Sequence, residues 1–362
     1  MLNYNTTEKK IIKYIIENGK VYQNDIQKDL DIDKSNLSRF LNRALLENVL
    51  IKEKTGKKNI FYFNKNQSYT LNFEWNRLEL DCFVANLYGE KIKAFEKHIL
   101  DFNDIGFLYK AISDNINKFL KNYSNENLIC ICFAVHGIVA SHSLVKHIPN
   151  CPWKNINLKD ITNQYLKKEV LVENYTNLGA FYEKLLYYNN FSSLALVKLR
   201  TGIGGGLVIG NKIYDGHNGG TLEIGHLTLT PDSKTEYVDL IENHFIESCL
   251  EKYGFSSRED FINSYNQGNK NALELYQIFL KNWIFVLKNL SAIISPSVLL
   301  LYHDLLNQIP HCLFEIRTAF NEMMVSPKII DFSKIKLEDY IRGINFLLLN
   351  RKFDLDIEKI SF

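Results

Sequence analysis

The chain has 362 residues, 46% of them hydrophobic, and a formal net charge of +2, enough for two or three domains with real cores. No stretch within the first thirty residues reads as a secretion signal and no run of about 20 apolar residues is available to span a bilayer, so a cytoplasmic protein with no membrane partner is expected. Residues 1–65 carry 13 Lys/Arg against 8 Asp/Glu, whereas the remainder carries 30 against 33, which suggests a polyanionic partner for the first segment alone.

In chain order, Asn5 followed by Glu8 has the form of a capping box. Ile11, Ile12, Ile15 and Ile16 make one apolar stripe, and Gly19 is a fitting stop, so a first helix is expected. A short second helix fits Asn24–Leu30. After the turn D-I-D, Asp33 reads as the N-cap of a third helix, Lys34–Asn48, with Leu37, Phe40, Leu41, Ala44 and Leu45 facing inward. Lys34, Ser35, Asn36, Ser38, Arg39 and Arg43 are left outside, mostly on the first two turns, where a recognition helix needs short polar groups for base edges and cations for phosphates. Two β-like runs then flank the basic turn K-E-K-T-G-K-K-N. Lys54, Lys57 and Lys58 on this wing would contact phosphates without reading sequence. The composite predicts a winged helix-turn-helix over residues 1–65 with double-stranded DNA as partner; a protein-interaction module is the alternative.

Beyond the polar connector 64–70, β-like and helical segments alternate, which argues for an α/β body. Expected are strands around Leu78–Leu87, Leu128–Val135 and Val170–Glu173, helices over Phe107–Tyr123, Leu158–Lys168 and Asn177–Tyr188, and a second alternating series from Leu194. A first lobe over 66–190, completed by a C-terminal helix within 336–362, and a second lobe over 191–335 with dimerisation helices follow. The six cysteines read as free thiols, with Cys130 and Cys132, two apart in a strand, assigned to opposite faces.

Several strings taken together, in order and spacing, resemble the ROK family of repressors and sugar kinases, in its xylose-repressor type: A-V-H-G-I-V (134–139), H-I-P-N-C-P-W-K-N-I-N-L (147–158), E-N-Y-T-N (173–177), T-G-I-G-G-G (201–206), N-G-G-T-L-E-I-G-H (218–226) and S-C-L-E-K-Y (248–253). The resemblance implies a two-lobed actin-like, ribonuclease-H-like sugar-kinase fold behind the winged helix. In the family's kinases the third string reads E-N-D-A-N, and its Asp is the general base. Tyr175 stands there, and a protonated phenol is a poor base; it either donates a hydrogen bond to or stacks on a sugar, or simply fills space. The kinases' D-I-G-G-T corresponds to Glu74–Leu78, whose side chains should exclude a phosphate, and a G-G pair beside adenosine corresponds to Tyr302-His303. The glycines of 201–206 are retained, and equally suit a tight strand–turn–strand corner.

Asn174, Glu223, His226 and Glu251 match positions that hydrogen-bond sugar hydroxyls in the family, a task amides and carboxylates suit. The family zinc site corresponds to His226, Cys249 and, in place of two cysteines, Glu242 and His244; a continuous helix through 240–251 would point the last two apart, so no metal is expected, and no other cofactor. The resemblance thus implies a homodimeric, cytoplasmic repressor without catalytic residues that senses a sugar or sugar phosphate. The alternatives are an active ATP-dependent sugar kinase, or a DNA-binding regulator whose body only dimerises.

Overall fold

The computed structural model describes residues 4–56, 58–140, 143–199, 202–227, 243–303 and 305–355. The chain divides into two compact units, one of 1–178, 185–189 and 337–362, the other of 179–184 and 190–336.

The first unit opens with α1 (Thr6–Asn18), β1 (Val21–Tyr22), α2 (Gln23–Leu30), α3 (Lys34–Leu46), β2 (Leu50–Thr55) and β3 (Lys58–Phe63). The capping box predicted at Asn5 and Glu8 is formed on both sides. Asp33 caps α3, its carboxylate accepting from the backbone N–H groups of Ser35 and Asn36. The strands form a three-stranded sheet in the order β1-β3-β2. Ile11, Ile12 and Ile15 of α1, Ile26 of α2 and Leu37, Leu41 and Ala44 of α3 are all buried, so this small domain has its own core.

Next come β4 (Tyr69–Asn76), β5 (Glu79–Asn86), β6 (Lys91–Ala94), β7 (His98–Ile99), α4 (Gly106–Asn122), β8 (Leu128–Val135), β9 (Ile138–Ala140), β10 (Leu144–His147), β11 (Ile156–Asn157), α5 (Leu158–Asn163), β12 (Val170–Asn174) and α6 (Tyr175–Tyr187). The main sheet runs β12-β8-β4-β5-β6, with β7 also on β5; β12, β8 and β4 are parallel and β4–β6 antiparallel. Ile131, Phe133 and Val135 pack with Leu108, Ile112, Ile116 and Phe119 of α4. Across strands, Phe133 stacks on Phe73 at 4.7 Å between ring centroids.

Two expectations fail here. Strand side chains alternate with a period of two, so Cys130 and Cys132 share a face. Both thiols are buried, and the Cys132 thiol is pushed up by burial and then by its hydrogen bond with Cys130. The helix expected to reach Lys168 stops at Asn163; the Thr162 hydroxyl turns back onto the Leu158 carbonyl at 2.6 Å, and Leu166 N–H bonds the Thr162 carbonyl.

The second unit contains β13 (Ser193–Leu199), β14 (Ile203–Ile209), β15 (Lys212–Ile213), α7 (Asn243–Lys252), α8 (Arg258–Asn266), α9 (Lys270–Ile294), β16 (Val298–His303), α10 (Cys312–Phe320) and β17 (Ile329–Phe332). Its sheet runs β15-β14-β13-β16-β17 and repeats the plan of the first: an antiparallel ribbon extended by parallel strands. Leu275, Leu280, Trp283 and Leu287 of α9 pack with Ala195, Val197, Leu299 and Leu301. Finally α11 (Arg342–Phe353) belongs to the first unit, where buried Asn345 donates to Thr70 Oγ1 at 2.7 Å and to the Asn86 carbonyl at 3.0 Å. Among the described residues no helix is long and apolar enough to cross a membrane.

Candidate functional site

The turn between α2 and α3 is tight because Asp31 takes a left-handed conformation (φ +49°), and Asp33 fixes the start of α3. Leu37, Phe40, Leu41 and Ala44 bury one face. At 100° per residue the opposite face carries Ser35, Arg39, Asn42 and Leu46, all exposed. Lys34 and Asn36 are also exposed, and neither Lys34 nor Arg39 forms an ion pair among the described residues.

Two of the expected contacts have other work. The Ser38 hydroxyl is half-buried and accepts from Gln23 Nε2 at 2.8 Å, tying α3 to α2. Arg43 is gripped by Glu8 of α1 at 2.6 Å, with Glu47 at 3.6 Å, and its guanidinium lies over Tyr4 and Phe40. Asn42 went unread in the sequence, although its spacing, seven after Ser35 and three after Arg39, was the available signal.

β2 and β3 form the wing. Lys54 and Lys58 are exposed beside Gly56, whose φ of +62° makes the turn, and the Lys58 ammonium sits 5.3 Å from the Tyr22 ring centroid. Glu53, further down β2, is held by Lys20 at 2.7 Å and Tyr62 at 2.8 Å. Lys57 lies outside the described residues. Exposed cations on the wing and polar groups on the outward face of α3 together suit phosphate contact and base-edge contact respectively.

In the first unit's main sheet, the ends of β4 and β8 and the start of α6 converge. Glu74 Oε1 meets His136 Nε2 at 3.1 Å. The His136 ring stacks on Tyr175 at 4.0 Å, and Tyr175 stacks on Tyr340 at 5.5 Å. Tyr175 is 3% exposed and its hydroxyl donates to the Leu337 carbonyl. The Tyr175 ring is thus sandwiched and its hydroxyl proton given to the backbone, the space-filling arrangement of the two that the sequence left open.

Asn174 is likewise engaged. Its Oδ1 caps α6 by accepting from Thr176 and Asn177 N–H at 2.7 and 3.0 Å, and its Nδ2 donates to the Gly137 carbonyl at 2.8 Å. In the turn that follows Glu74 lie Asn76 and Arg77, the positions that the sequence resemblance set against the kinases' glycines. Arg77 keeps a left-handed φ of +51°, and the buried Trp75 indole donates to its carbonyl at 2.9 Å.

In the second unit β13 and β14 pair antiparallel with Leu199 opposite Ile203, so Gly202 lies in the tight strand–turn–strand connection that the string suits. Gly204, Gly205 and Gly206 are interior to β14, with Thr201 outside the described residues. A Cβ on Gly205 would lie 2.3 Å from Leu222 Cβ and 2.5 Å from its carbonyl oxygen, so the glycine admits the 221–226 segment against the strand. Leu222 itself has φ +54°. That segment carries Glu223, half-buried, and His226, exposed, in one short turn; burial raises the Glu223 carboxyl and the nearby His226 partly offsets this. Glu251 is exposed on α7, and its carboxylate makes no hydrogen bond or ion pair among the described residues.

At the end of β16, His303 is buried and edge-on to Trp283. Its Nδ1 accepts from the Leu305 and Leu306 N–H groups, and burial lowers its pKa to about 3, so this imidazole is a neutral cap. Among the described residues no cluster of three His, Cys, Asp or Glu side chains is placed to hold a metal; Glu242 and the His244 side chain lie outside them. Cys249 is half-buried with a thiol raised by burial, and no step is assigned to a metal.

A family model described as "ROK family" matches residues 83–339. Similar proteins include the xylose repressor of Staphylococcus xylosus, 26% identical over 337 residues that cover 88% of this chain and 87% of that protein. The crystal structure of a ROK family transcriptional regulator, homolog of the E. coli MLC protein, superposes with a TM-score of 0.78 at 17% identity over 97% of this chain and 98% of that one. A ROK family glucokinase from Streptomyces griseus, in complex with glucose and AMPPNP, superposes with a TM-score of 0.61 at 18% identity over 77% of this chain and 99% of the kinase. The kinase fold is therefore matched without the whole of this chain, and the regulator's fold is matched almost throughout.

Proposed function

The chain belongs to the ROK family, and from that premise we propose that it is a cytoplasmic, DNA-binding transcriptional repressor whose body senses a sugar or sugar phosphate and transfers no phosphate. The observation that carries the reading is the outward face of α3. Arg39 and Asn42 project from a helix that is capped by Asp33 and backed by its own core, beside a wing with exposed Lys54 and Lys58.

The absence of phosphotransfer is supported by Tyr175. A kinase needs a group there that takes a proton from the attacking hydroxyl, and this phenol is buried and donating to a carbonyl. Sugar recognition then falls, within the second unit, to Glu223, His226 and Glu251, while the Asn174 side chain of the first unit is taken up by capping α6 and by the Gly137 carbonyl. Homodimerisation would place two α3 helices on a repeated or palindromic operator.

Ligand control requires different affinities for two arrangements of the protein. The test is enrichment of bound duplexes from a random pool, followed by anisotropy titration of the winner with xylose, glucose, N-acetylglucosamine and their phosphates. A repeated half-site, and an affinity shift of about fivefold or more with one sugar, is expected. Enrichment of no sequence, or operator binding indifferent to every sugar, overturns the corresponding half of the reading. The latter outcome favours a body that only dimerises, a reading that the capping role of Asn174 supports.

A further inference from the structure

A cavity of about 1070 Å³ lies in the first unit where the winged helix meets the body. Its floor is apolar: Val49, Phe63, Leu87, Leu128 and Leu349 line it and are all buried. Polar groups come from four places in the fold: Lys9 of α1, Gln67 and Ser68 of the connector, Lys167 and Lys168 after α5, and Arg351 of α11.

The charge on the rim does not cancel. Of the acids, Glu169 faces Lys352 at 3.7 Å. Glu47 accepts from Tyr4 at 3.2 Å and pairs with Arg43, which leaves Glu126. Against it stand Lys9, Lys167, Lys168 and Arg351, none with a side-chain hydrogen bond or ion pair among the described residues. Unpaired cations lining one cavity with an apolar floor give it a positive potential that favours an anion. The volume is that of a small-molecule site.

We propose that this cavity binds an anionic small molecule, an organic phosphate with an apolar or ring portion, at a site separate from Glu223 and His226. The phosphate meets Lys167, Lys168 and Arg351, and the ring rests against Phe63 and Phe353. The same surfaces already join the reader to the body: Phe353 packs edge-on to Phe63 at 6.3 Å, and Lys13 of α1 donates to the Asp354 carbonyl. A ligand here therefore touches both sides of that junction, and it biases DNA binding as far as its affinity differs between docked and displaced readers.

The experiment is isothermal titration of the full chain with 1-naphthyl phosphate and, in parallel, with 1-naphthol. One saturable site is expected for the phosphate, about tenfold or more tighter than for the alcohol, and weakened by a similar factor in Arg351→Glu and in Lys167→Glu. Both residues are exposed; if circular dichroism shows either variant misfolded, Lys168→Gln replaces it. No saturable binding, equal affinity for phosphate and alcohol, or folded variants that bind like the parent would each overturn the proposal. Duplex binding measured on the same preparation separates this failure from failure of the regulator reading, on which the cavity does not depend.

Discussion

The imidazole of His136 lies on the phenol of Tyr175 with ring centroids 4.0 Å apart and planes 23° from parallel. The pair joins the end of β8 to the start of α6, and Glu74 and Tyr340 extend it on either side. Where a family kinase would present an acid to a sugar, this chain has a closed aromatic and polar stack.

Replacing Tyr175 by Asp therefore does not recreate a kinase. The carboxylate would be buried facing the Leu337 carbonyl, with the stacking lost, at a cost of about 3–5 kcal/mol. Urea denaturation should show that loss, and a coupled ATP assay with glucose should show no turnover. A stable variant that phosphorylates glucose would contradict the structural role given to Tyr175.

On the reader, two kinds of contact should separate. Arg39→Ala and Asn42→Ala are expected to cost about 1–3 kcal/mol on the preferred operator and to relax its sequence preference. Lys54→Ala should weaken all duplexes alike and lower the salt slope by about one. Asp33→Ala acts earlier, removing the α3 cap at about 1 kcal/mol of stability. Anisotropy against matched and mismatched duplexes distinguishes the three.

Stability should vary with pH through two buried groups of opposite sign. Burial raises the Glu183 carboxyl from 4.5 to about 7, despite hydrogen bonds from Ser333 and the Lys334 N–H. The folded state therefore holds a proton the unfolded state has released, and this contribution is lost as pH rises through that window. Burial lowers His303 from 6.5 to about 3, so its contribution is present above 6.5 and lost as pH falls. Between pH 4.5 and 6.5 the slopes oppose one another. Glu183→Gln should leave stability rising with pH there, and His303→Gln should leave it falling; urea midpoints at several pH values decide.

A methyl group on Gly205 meets Leu222 at 2.3 Å. Gly205→Ala should displace the 221–226 segment and abolish the response to sugars, while duplex affinity without sugar is kept. Paired calorimetry and anisotropy on that variant provide the check, and an unaltered sugar affinity would remove Glu223 and His226 from the ligand site.

What the sequence disclosed follows the range of the forces involved. The caps at Asn5 and Asp33 act within three residues, and both were legible. The run Leu128–Val135 forms β8, buried except for the half-buried Ile129, and its ends were legible too. The turn at Gly202 was legible, whereas the need for Gly205 was not, because its cause is Leu222, outside the string. The engagement of Arg43 by Glu8 and the burial of Tyr175 between His136 and Tyr340 likewise depend on residues 35 to 165 positions away. The rim of the cavity, assembled from stretches far apart in the chain, had no local signal.

On the proposed function, the capped, outward-facing α3 and its basic wing bind duplex DNA. The most direct measurement is the affinity of the full chain for duplex between 50 and 300 mM salt. Log–log weakening with a slope of about −3 or steeper is expected, with a clear loss in Arg39→Ala. A folded chain that ignores duplex at 50 mM salt, or binds it with no dependence on Arg39 and Lys54, would contradict it.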